Sequence, residues 1–270
     1  MPNTFHARLL AAVRQKQSRL CLGLDLDPDR PSELHDASLE SLREASLAIV
    51  EATWEHVWGY KLNFAFFERF GSAGYEWLEA LSKGIARKAM TIGDGKRGDI
   101  GSSARHYAQA IYGHLGLDAA TVNPYMGSDA LAPFLADAER GAFLLCLTSN
   151  RGAEDFQRYE SSRPLYLEVA AWAQGLNRRD NLGLVVGATY PDDLESVRRA
   201  APDLPFLIPG VGTQGGSLEA AVKCGTTEAP SIIAVSRDIL YAGQGSLDDV
   251  SAAVADYNGR INGLAEHHGD

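Results

Sequence analysis

The stretches FLLCL (residues 143–147) and GLVVG (residues 183–187) are apolar at every position. A short run that is apolar on both of its alternating faces is typical of a strand covered on both sides, as in a parallel sheet. Six further runs of this kind are present, and the eight candidate strands lie at residues 19–24, 57–64, 88–93, 118–123, 142–148, 182–187, 205–209 and 231–235. The chain therefore predicts a sheet of buried, parallel strands.

Segments with helical periodicity or composition separate the strands, such as SLESLREASLAIVEATW (38–54), SSARHYAQAIYGHLG (102–116), PLYLEVAAWAQGLNRR (164–179), YPDDLESVRRAA (190–201) and GSLEAAVKCG (216–225). Eight strand–helix units in 270 residues predict an α/β fold of the (β/α)8, or TIM, barrel type rather than a doubly wound sheet. No GxGxxG follows the first strand, which weakens a dinucleotide-binding interpretation. No linker or internal repeat interrupts the pattern, so we expect a single domain over residues 1–270.

Composition and charge exclude several classes of protein. A content of 45% hydrophobic residues allows a large core. The net charge of −10 argues against a nucleic-acid partner, which demands a basic surface. No stretch approaches the ~18 apolar residues of a membrane span, and the first residues lack a signal peptide's apolar core, so we expect a cytoplasmic protein. The three cysteines (Cys21, Cys146 and Cys224) have no short spacing, and we predict neither a metal site nor a disulfide framework.

Polar residues follow the predicted strands at the ends where a TIM barrel carries its chemistry. They are Asp25 after the first strand, Lys61 on the second, Asp94 and Lys96 after the third, Asn123 after the fourth, Ser149 after the fifth, Gln214 after the seventh and Arg237 after the eighth. Catalytic residues of such barrels come from the C-terminal ends of several strands, and phosphate is held by the loops after strands seven and eight. We therefore predict an active site at this end of the barrel.

The segment TIGDGKRGDIGSS (residues 91–103) is the centre of the predicted site. In an extended chain, residues two apart point to one face, so Asp94 and Lys96 are both expected to face the barrel mouth. Asp99 lies near the start of the following helix and points away from that face. Taken alone, the segment is more typical of a solvated turn, because exposed charges on loops are common.

The segment PGVGTQGG (residues 209–216) predicts a phosphate-binding loop. It offers a tight glycine-rich turn with exposed amides at the start of a helix, which suits an anion. A lone glycine-rich loop is more often only a turn, but the place of this one after strand seven, with Arg237 after strand eight, favours phosphate. We expect Gln214 to close over the ligand as part of a lid.

The segment DGKRGDI (residues 94–100) resembles the D-x-K-x-x-D-I signature of the orotidine 5′-monophosphate decarboxylase family, and GDGKRGDIGSSA is similar to its subgroup with longer loops. Further stretches that occur in the family's order are CLGLDLDPD, YKLNFAFFE, TVNPYMGSDAL, LTSNRGAEDFQ, PGVGTQGG and VSRDIL. The resemblance covers nearly the whole chain. It implies an enzyme without a cofactor that converts orotidine monophosphate to uridine monophosphate (UMP) and CO2 in pyrimidine biosynthesis.

The resemblance also implies a role for each polar residue. The catalytic residues would be Lys61, Asp94, Lys96 and Asp99, which form an alternating array of charges, with Lys96 as proton donor and Asp99 supplied by the neighbouring subunit of a homodimer. Among the substrate-binding residues, Asp25 and Lys61 would bind the ribose hydroxyls and Ser149 the amide edge of the pyrimidine. The phosphate would be bound by Gln214, Arg237 and the backbone N–H of Gly212. Pro209 and Ser236 would also contact the substrate. Arg151 departs from the family pattern, which usually has proline there, but removes no catalytic group.

The reaction explains why these residue types are needed. Loss of CO2 from C6 of the pyrimidine leaves a carbanion in the ring plane, which the π system delocalises poorly, and no pyridoxal or thiamine motif is visible to act as an electron sink. Flanked by two aspartates as the resemblance implies, Lys96 would stay an ammonium at neutral pH, face the developing carbanion and then protonate C6. Asp94 either repels the departing carboxylate or belongs to a preorganised set of charges, and we favour preorganisation.

Two alternatives come from different classes. A metal-dependent keto-sugar-phosphate decarboxylase or aldolase of the same suprafamily carries a metal-binding acid on strand two, where this chain has Lys61, and a lysine repels Mg²⁺. A barrel that only binds a phosphorylated ligand would have little reason to keep costly clustered charges. Both are disfavoured relative to the decarboxylase.

Overall fold

In a computed structural model, which describes residues 3–159, 162–212 and 215–266, the chain forms a closed barrel of parallel strands. The strands are β1 (Leu20–Gly23), β2 (Gly59–Asn63), β3 (Met90–Arg97), β4 (Ala119–Val122), β5 (Gly141–Leu147), β6 (Leu182–Val186), β7 (Phe206–Pro209) and β8 (Ser231–Val235). Each strand pairs with the next, and β8 returns to β1, so that Cys21 lies opposite both Gly59 and Ala234. The prediction of a TIM barrel is confirmed.

Helices alternate with the strands and cover the outside of the barrel. In the described part of the chain they are α1 (Phe5–Lys16), α2 (Leu39–Thr53), α3 (Phe64–Glu68), α4 (Gly71–Ile85), α5 (Gly101–Ala108), α6 (Ser128–Leu131), α7 (Ala153–Phe156), α8 (Leu165–Leu176), α9 (Pro191–Ala200), α10 (Leu218–Lys223), α11 (Arg237–Leu240) and α12 (Leu247–Glu266). A π-helical turn (Gln109–His114) extends α5, and a 3-10 turn (Ala132–Phe134) extends α6. Across the described ranges, no helix is both long enough and apolar enough to cross a membrane.

Side chains just before several helices explain where those helices begin. The hydroxyls of Thr4, Ser38 and Ser217 accept backbone N–H groups from the first turns of α1, α2 and α10. Such caps satisfy donors that have no partner inside the helix. The bounds of α2 and α10 lie within the segments predicted to be helical.

The N-terminal end of the barrel is closed by apolar side chains. Phe5 and Leu9 of α1 are fully buried in the core inside the barrel. The ring of Phe5 meets the ring of Phe143 edge to face, with centroids 5.8 Å apart. Gly141 leaves room for it, because a Cβ at that position would lie 2.3 Å from the Phe5 ring. A second and larger core lies between the strands and the outer helices. Because these side chains seal the N-terminal end, the barrel opens at the C-terminal ends of the strands.

Strand β3 differs from its prediction in length and regularity. It continues from the predicted end at residue 93 to Arg97, so Asp94 and Lys96 lie within the strand rather than after it. Its pairing with β4 shifts register between Gly93 and Arg97, and Lys96 has a left-handed φ of 47°. The prediction that Asp94 and Lys96 face the barrel mouth assumed a regularly alternating strand. The segment is instead a bulge, so that assumption does not hold here.

Candidate active site

A cavity of about 520 Å³ opens at the C-terminal ends of the strands. A volume of this size is within the range of small-molecule sites. The sequence-predicted residues that line it are Asp25, Lys61, Asp94, Lys96, Ser149, Pro209, Ser236 and Arg237. These residues come from β1, β2, β3, β5, β7 and β8 or the loops that follow them, so the barrel brings together side chains that are far apart in sequence.

Four of these side chains form an alternating cluster of charges. The Lys61 ammonium lies 3.4 Å from Oδ1 of Asp25 and 3.2 Å from Oδ2 of Asp94. The Lys96 ammonium donates to Oδ1 of Asp94 at 2.6 Å. The order Asp25, Lys61, Asp94, Lys96 therefore runs across the C-terminal ends of three neighbouring strands.

Burial and charge pairing act against each other in this cluster. The side chains of Lys61 and Asp94 are only 11% and 8% exposed. Burial alone would lower the pKa of Lys61, but the carboxylates of Asp25 and Asp94 raise it above its ordinary value. Burial alone would raise the pKa of Asp94, but Lys61, Lys96 and the hydrogen bonds lower it to about 2. Both groups are therefore charged at neutral pH.

Lys96 differs from Lys61 in its access to the cavity. Its side chain is 48% exposed although its ammonium contacts the buried Asp94. Both ammonium groups line the cavity, but the side chain of Lys61 is only 11% exposed and lies between two carboxylates, whereas that of Lys96 is more open to a bound molecule. Lys96 is accordingly the member of the cluster best placed for proton transfer.

Asp99 does not join the cluster within this chain. The described residues that line the cavity do not include it, and its Oδ1 accepts the N–H of Ile100 at 2.7 Å. The loops after β3 and β4 are adjacent, since the N–H of Asn123 donates to the carbonyl of Arg97 at 2.8 Å. Ile100 and Tyr125, on these loops, are 58% and 87% exposed. Asp99 thus lies at the rim of the barrel next to the exposed Ile100, and the adjacent loop carries the exposed Tyr125.

The glycine-rich loop after β7 has the tight geometry expected of it. Gly210 and Gly212 have φ values of 92° and 84°, a region that favours glycine. A Cβ at Gly212 would lie 1.8 Å from Oδ2 of Asp238, so any other residue here would have to displace that carboxylate as well as adopt a left-handed φ. The N–H of Gly216 donates to the carbonyl of Gly210 at 3.0 Å, which closes the turn. The predicted lid residue Gln214 lies outside the described residues.

The loop after β8 offers two polar groups to the same end of the cavity. Arg237 is the first residue of α11, and no other described residue pairs with its guanidinium. The hydroxyl of Ser236 is buried and has no hydrogen-bond partner in the described ranges. A buried polar atom without a partner is costly unless a ligand satisfies it. This end of the cavity therefore fits a polar, anionic group.

The loop after β5, which carries Ser149, is held in place by hydrogen bonds with Gln157. The side-chain Oε1 of Gln157 accepts the backbone N–H of Thr148 at 2.7 Å, and Nε2 of Gln157 donates to the Thr148 hydroxyl at 2.8 Å. The adjacent Arg158 forms an ion pair with Asp193 at the start of α9. The contacts with Gln157 hold Thr148, which directly precedes Ser149, at the edge of the cavity.

Sequence reasoning missed several residues that line the cavity, including Asn63, Thr121 and Thr148. Alternation along β2 could have found Asn63, which is two residues from Lys61. Asn123 itself accepts the N–H of Tyr125 at 2.9 Å in a strand-end turn and lines a separate neighbouring cavity.

Comparisons with known proteins agree with this geometry. The model of the family described as "Orotidine 5′-phosphate decarboxylase / HUMPS family" matches residues 18–248. The orotidine 5′-phosphate decarboxylase of Roseiflexus castenholzii is 47% identical over 247 residues, which is 90% of each chain. That of Natronomonas pharaonis is 42% identical over 269 residues, covering 96% of this chain and 98% of the relative. The structure of OMP decarboxylase from Leishmania donovani superimposes with a TM-score of 0.86 at 36% identity, covering 97% of this chain and 99% of the other. The chain belongs to the orotidine 5′-phosphate decarboxylase / HUMPS family.

Proposed function

We propose that this protein decarboxylates orotidine monophosphate to UMP and CO2, the last step of UMP biosynthesis, without a cofactor. The observation that carries the proposal is the cluster of Asp25, Lys61, Asp94 and Lys96 at the mouth of the barrel. The relatives that match nearly the whole chain bear the name of this activity. Family membership and the charges of the site therefore support the same reaction.

Lys96 has the central chemical role in this proposal. The bond between C6 and the carboxylate carbon breaks, the electron pair stays on C6, and the Lys96 ammonium stabilises that charge before its Nζ transfers a proton to C6. Asp94 holds the ammonium at 2.6 Å, and the buried Lys61 holds Asp94. Charges that are already in place before the reaction stabilise the transition state without reorganisation. This electrostatic stabilisation is usually the largest contribution to the rate enhancement.

The remaining residues orient the nucleotide around Lys96. Asp25 and Lys61 bind the ribose hydroxyls, and Ser149 on the loop after β5 binds the amide edge of the pyrimidine. Arg237 and the backbone N–H of Gly212 bind the phosphate. Pro209 and Ser236 line this end, and Gln214 is proposed to close over the phosphate. The positions of Gly212 and Arg237 support this arrangement, because the loops after β7 and β8 are the usual phosphate site of this fold.

We also propose that the protein is a cytoplasmic homodimer and that Asp99 completes the partner's site. The position of Asp99 supports this, because it does not line the cavity of its own chain and is next to the exposed Ile100, with the exposed Tyr125 on the adjacent loop. An exposed apolar rim is typical of a surface that another protein covers.

Lys61 argues against the metal-dependent alternative. Its ammonium lies 3.2 Å from Asp94 and 3.4 Å from Asp25, where it occupies the position of a cation between the two carboxylates. A divalent ion there would be repelled by the ammonium.

The test is a spectrophotometric assay for loss of orotidine monophosphate absorbance by the purified protein. We expect turnover that survives EDTA, and no turnover of hexulose phosphates. Lys83→Ala, which changes an exposed lysine on α4, is the matched control for Lys96→Ala and is expected to keep full activity. Absence of turnover by the folded wild-type protein would refute the proposed function.

A further inference from the structure

The bulge in β3 leaves a gap in the β3–β4 ladder beside the charge cluster. Gly93 lies opposite Ala120, and the next register pair is Arg97 opposite Val122. Residues 94–96 therefore face a single residue of β4, which is Thr121. A backbone N–H in such a gap loses its strand partner and needs another acceptor.

The side chain of Thr121 fills this gap with two hydrogen bonds. Its hydroxyl oxygen accepts the backbone N–H of Lys96 at 2.9 Å. The same hydroxyl donates to Oδ1 of Asp94 at 2.8 Å. Thr121 is 2% exposed, so water has little access to replace either bond.

Both bonds act on groups that the proposed chemistry needs. Oδ1 of Asp94 is the oxygen that the Lys96 ammonium contacts at 2.6 Å, so Thr121 and Lys96 share one acceptor atom. The backbone bond holds Lys96 at a φ of 47°, which costs a residue with a side chain about 1 kcal/mol or more unless its surroundings impose it. Only a group that donates and accepts at once can do both, and among side chains of this size that means a hydroxyl.

We propose that Thr121 is a positioning residue that sets the Lys96 ammonium against Asp94 in the reactive geometry. This inference rests on the proposed decarboxylation and deepens it. Thr121 acts through Asp94 and the Lys96 backbone rather than by contact with the substrate. Its loss should therefore affect the chemical step and not the binding of the nucleotide.

Thr91 provides a matched control on the neighbouring strand. Its hydroxyl donates to Asp118 Oδ2 at 2.9 Å and accepts the Asp118 N–H at 3.0 Å, and it is also buried. The two threonines thus make the same pair of bonds to an aspartate carboxylate and a backbone N–H. Thr91 does so near the sealed end of the barrel, away from the cavity.

The experiment compares Thr121→Val, Thr121→Ser and Thr91→Val by steady-state kinetics and urea unfolding. We expect Thr121→Val to lower kcat roughly 10- to 100-fold, the range for a lost hydrogen bond to a charged group, while KM stays within about threefold. Thr121→Ser should restore most of kcat. Thr91→Val should show a similar loss of stability with kcat close to that of the wild type. If Thr121→Val does not fold, Thr121→Ala replaces it.

A second readout does not depend on activity. In protein labelled with ¹³C at the aspartate carboxyls, the Asp94 resonance, assigned by its loss in Asp94→Asn, should titrate at higher pH in Thr121→Val than in the wild type or Thr121→Ser. Three results would overturn the proposal for Thr121. They are a wild-type kcat in Thr121→Val, an equal loss of kcat in Thr91→Val, and an Asp94 titration that does not move in Thr121→Val. Inactivity of the wild type together with a moved titration would instead refute the proposed function alone.

Discussion

Lys96 places an ammonium at the surface of the cavity, 2.6 Å from a buried carboxylate. We expect Lys96→Ala to abolish decarboxylation and also the exchange of the C6 hydrogen of UMP with deuterium, because the same group delivers the proton in both reactions. NMR of UMP in D2O measures the exchange, and Lys83→Ala is the control. Substantial exchange by the folded Lys96→Ala variant would exclude this role.

Arg237 offers its guanidinium to the end of the cavity where the loops after β7 and β8 meet. Arg237→Ala is expected to lower kcat/KM by roughly 100-fold, because a charge-assisted contact with phosphate is lost. Added guanidinium should restore part of the activity. Kinetics with and without guanidinium test this, with Arg260→Ala on the surface of α12 as the control. Near-normal kcat/KM in Arg237→Ala would place the phosphate elsewhere.

Asp94 links the charge cluster to stability in acid. Because its pKa is lowered from 3.8 to about 2 in the folded protein, its contribution to the free energy of unfolding is fully present above pH 4 to 5 and is lost as the pH falls towards 2. Between pH 5 and pH 3 the wild type should lose about 1 kcal/mol more than Asp94→Asn. Urea unfolding at both pH values measures this difference. Equal losses in the two proteins would show that Asp94 does not titrate in this way.

At the scale of elements, α1 closes the barrel by inserting Phe5 and Leu9 into its N-terminal end. Phe5→Ala should lower the free energy of unfolding by about 3–5 kcal/mol, since it leaves a cavity against Phe143 that Gly141 does not fill. Gln15→Ala, on the exposed side of α1, should have little effect. Chemical unfolding compares the two variants. An unchanged midpoint for Phe5→Ala would mean that α1 does not stabilise the barrel.

The paired strands β3 and β4 show how an element departs from its own pattern to make a site. Their regular ladder ends at Gly93, and the bulge that follows turns Lys96 into a left-handed conformation without removing its side chain from Asp94. A regular ladder would have placed Asp94 opposite Thr121 and Lys96 two residues further along, whereas the bulge sets residues 94–96 against Thr121 alone. The irregular stretch is therefore the part of the sheet most closely tied to the proposed chemistry.

At the scale of the whole molecule, the proposed homodimer makes each site from two chains. Refolding Lys96→Ala and Asp99→Ala chains together then gives heterodimers in which one site carries both lesions and the other carries none. Random pairing makes half of the dimers mixed, so about a quarter of all sites should regain wild-type activity. Activity per site and native mass spectrometry test this. No recovery, with heterodimers confirmed by mass, would refute the shared site.

The sequence by itself determined the barrel and most of the charged residues at its mouth. Apolar runs that alternate with helical segments are a local property, and once eight such units close into a barrel, every strand ends at the same rim. Lys61, Ser149 and Arg237 could therefore be assigned to one cavity from their places after or on strands, although long stretches of chain separate them.

Only the tertiary structure decided how these residues contact one another. The pairing of Lys61 with both Asp25 and Asp94 depends on strand register. The hydrogen bond from the Lys96 N–H to the Thr121 hydroxyl depends on a bulge that the pattern of residues 88–93 did not predict. The insertion of Phe5 against Gly141 likewise joins parts of the chain that share no local signal. Periodicity reports which face of an element is buried, whereas hydrogen bonds between distant elements depend on distances of a few tenths of an ångström that only packing sets.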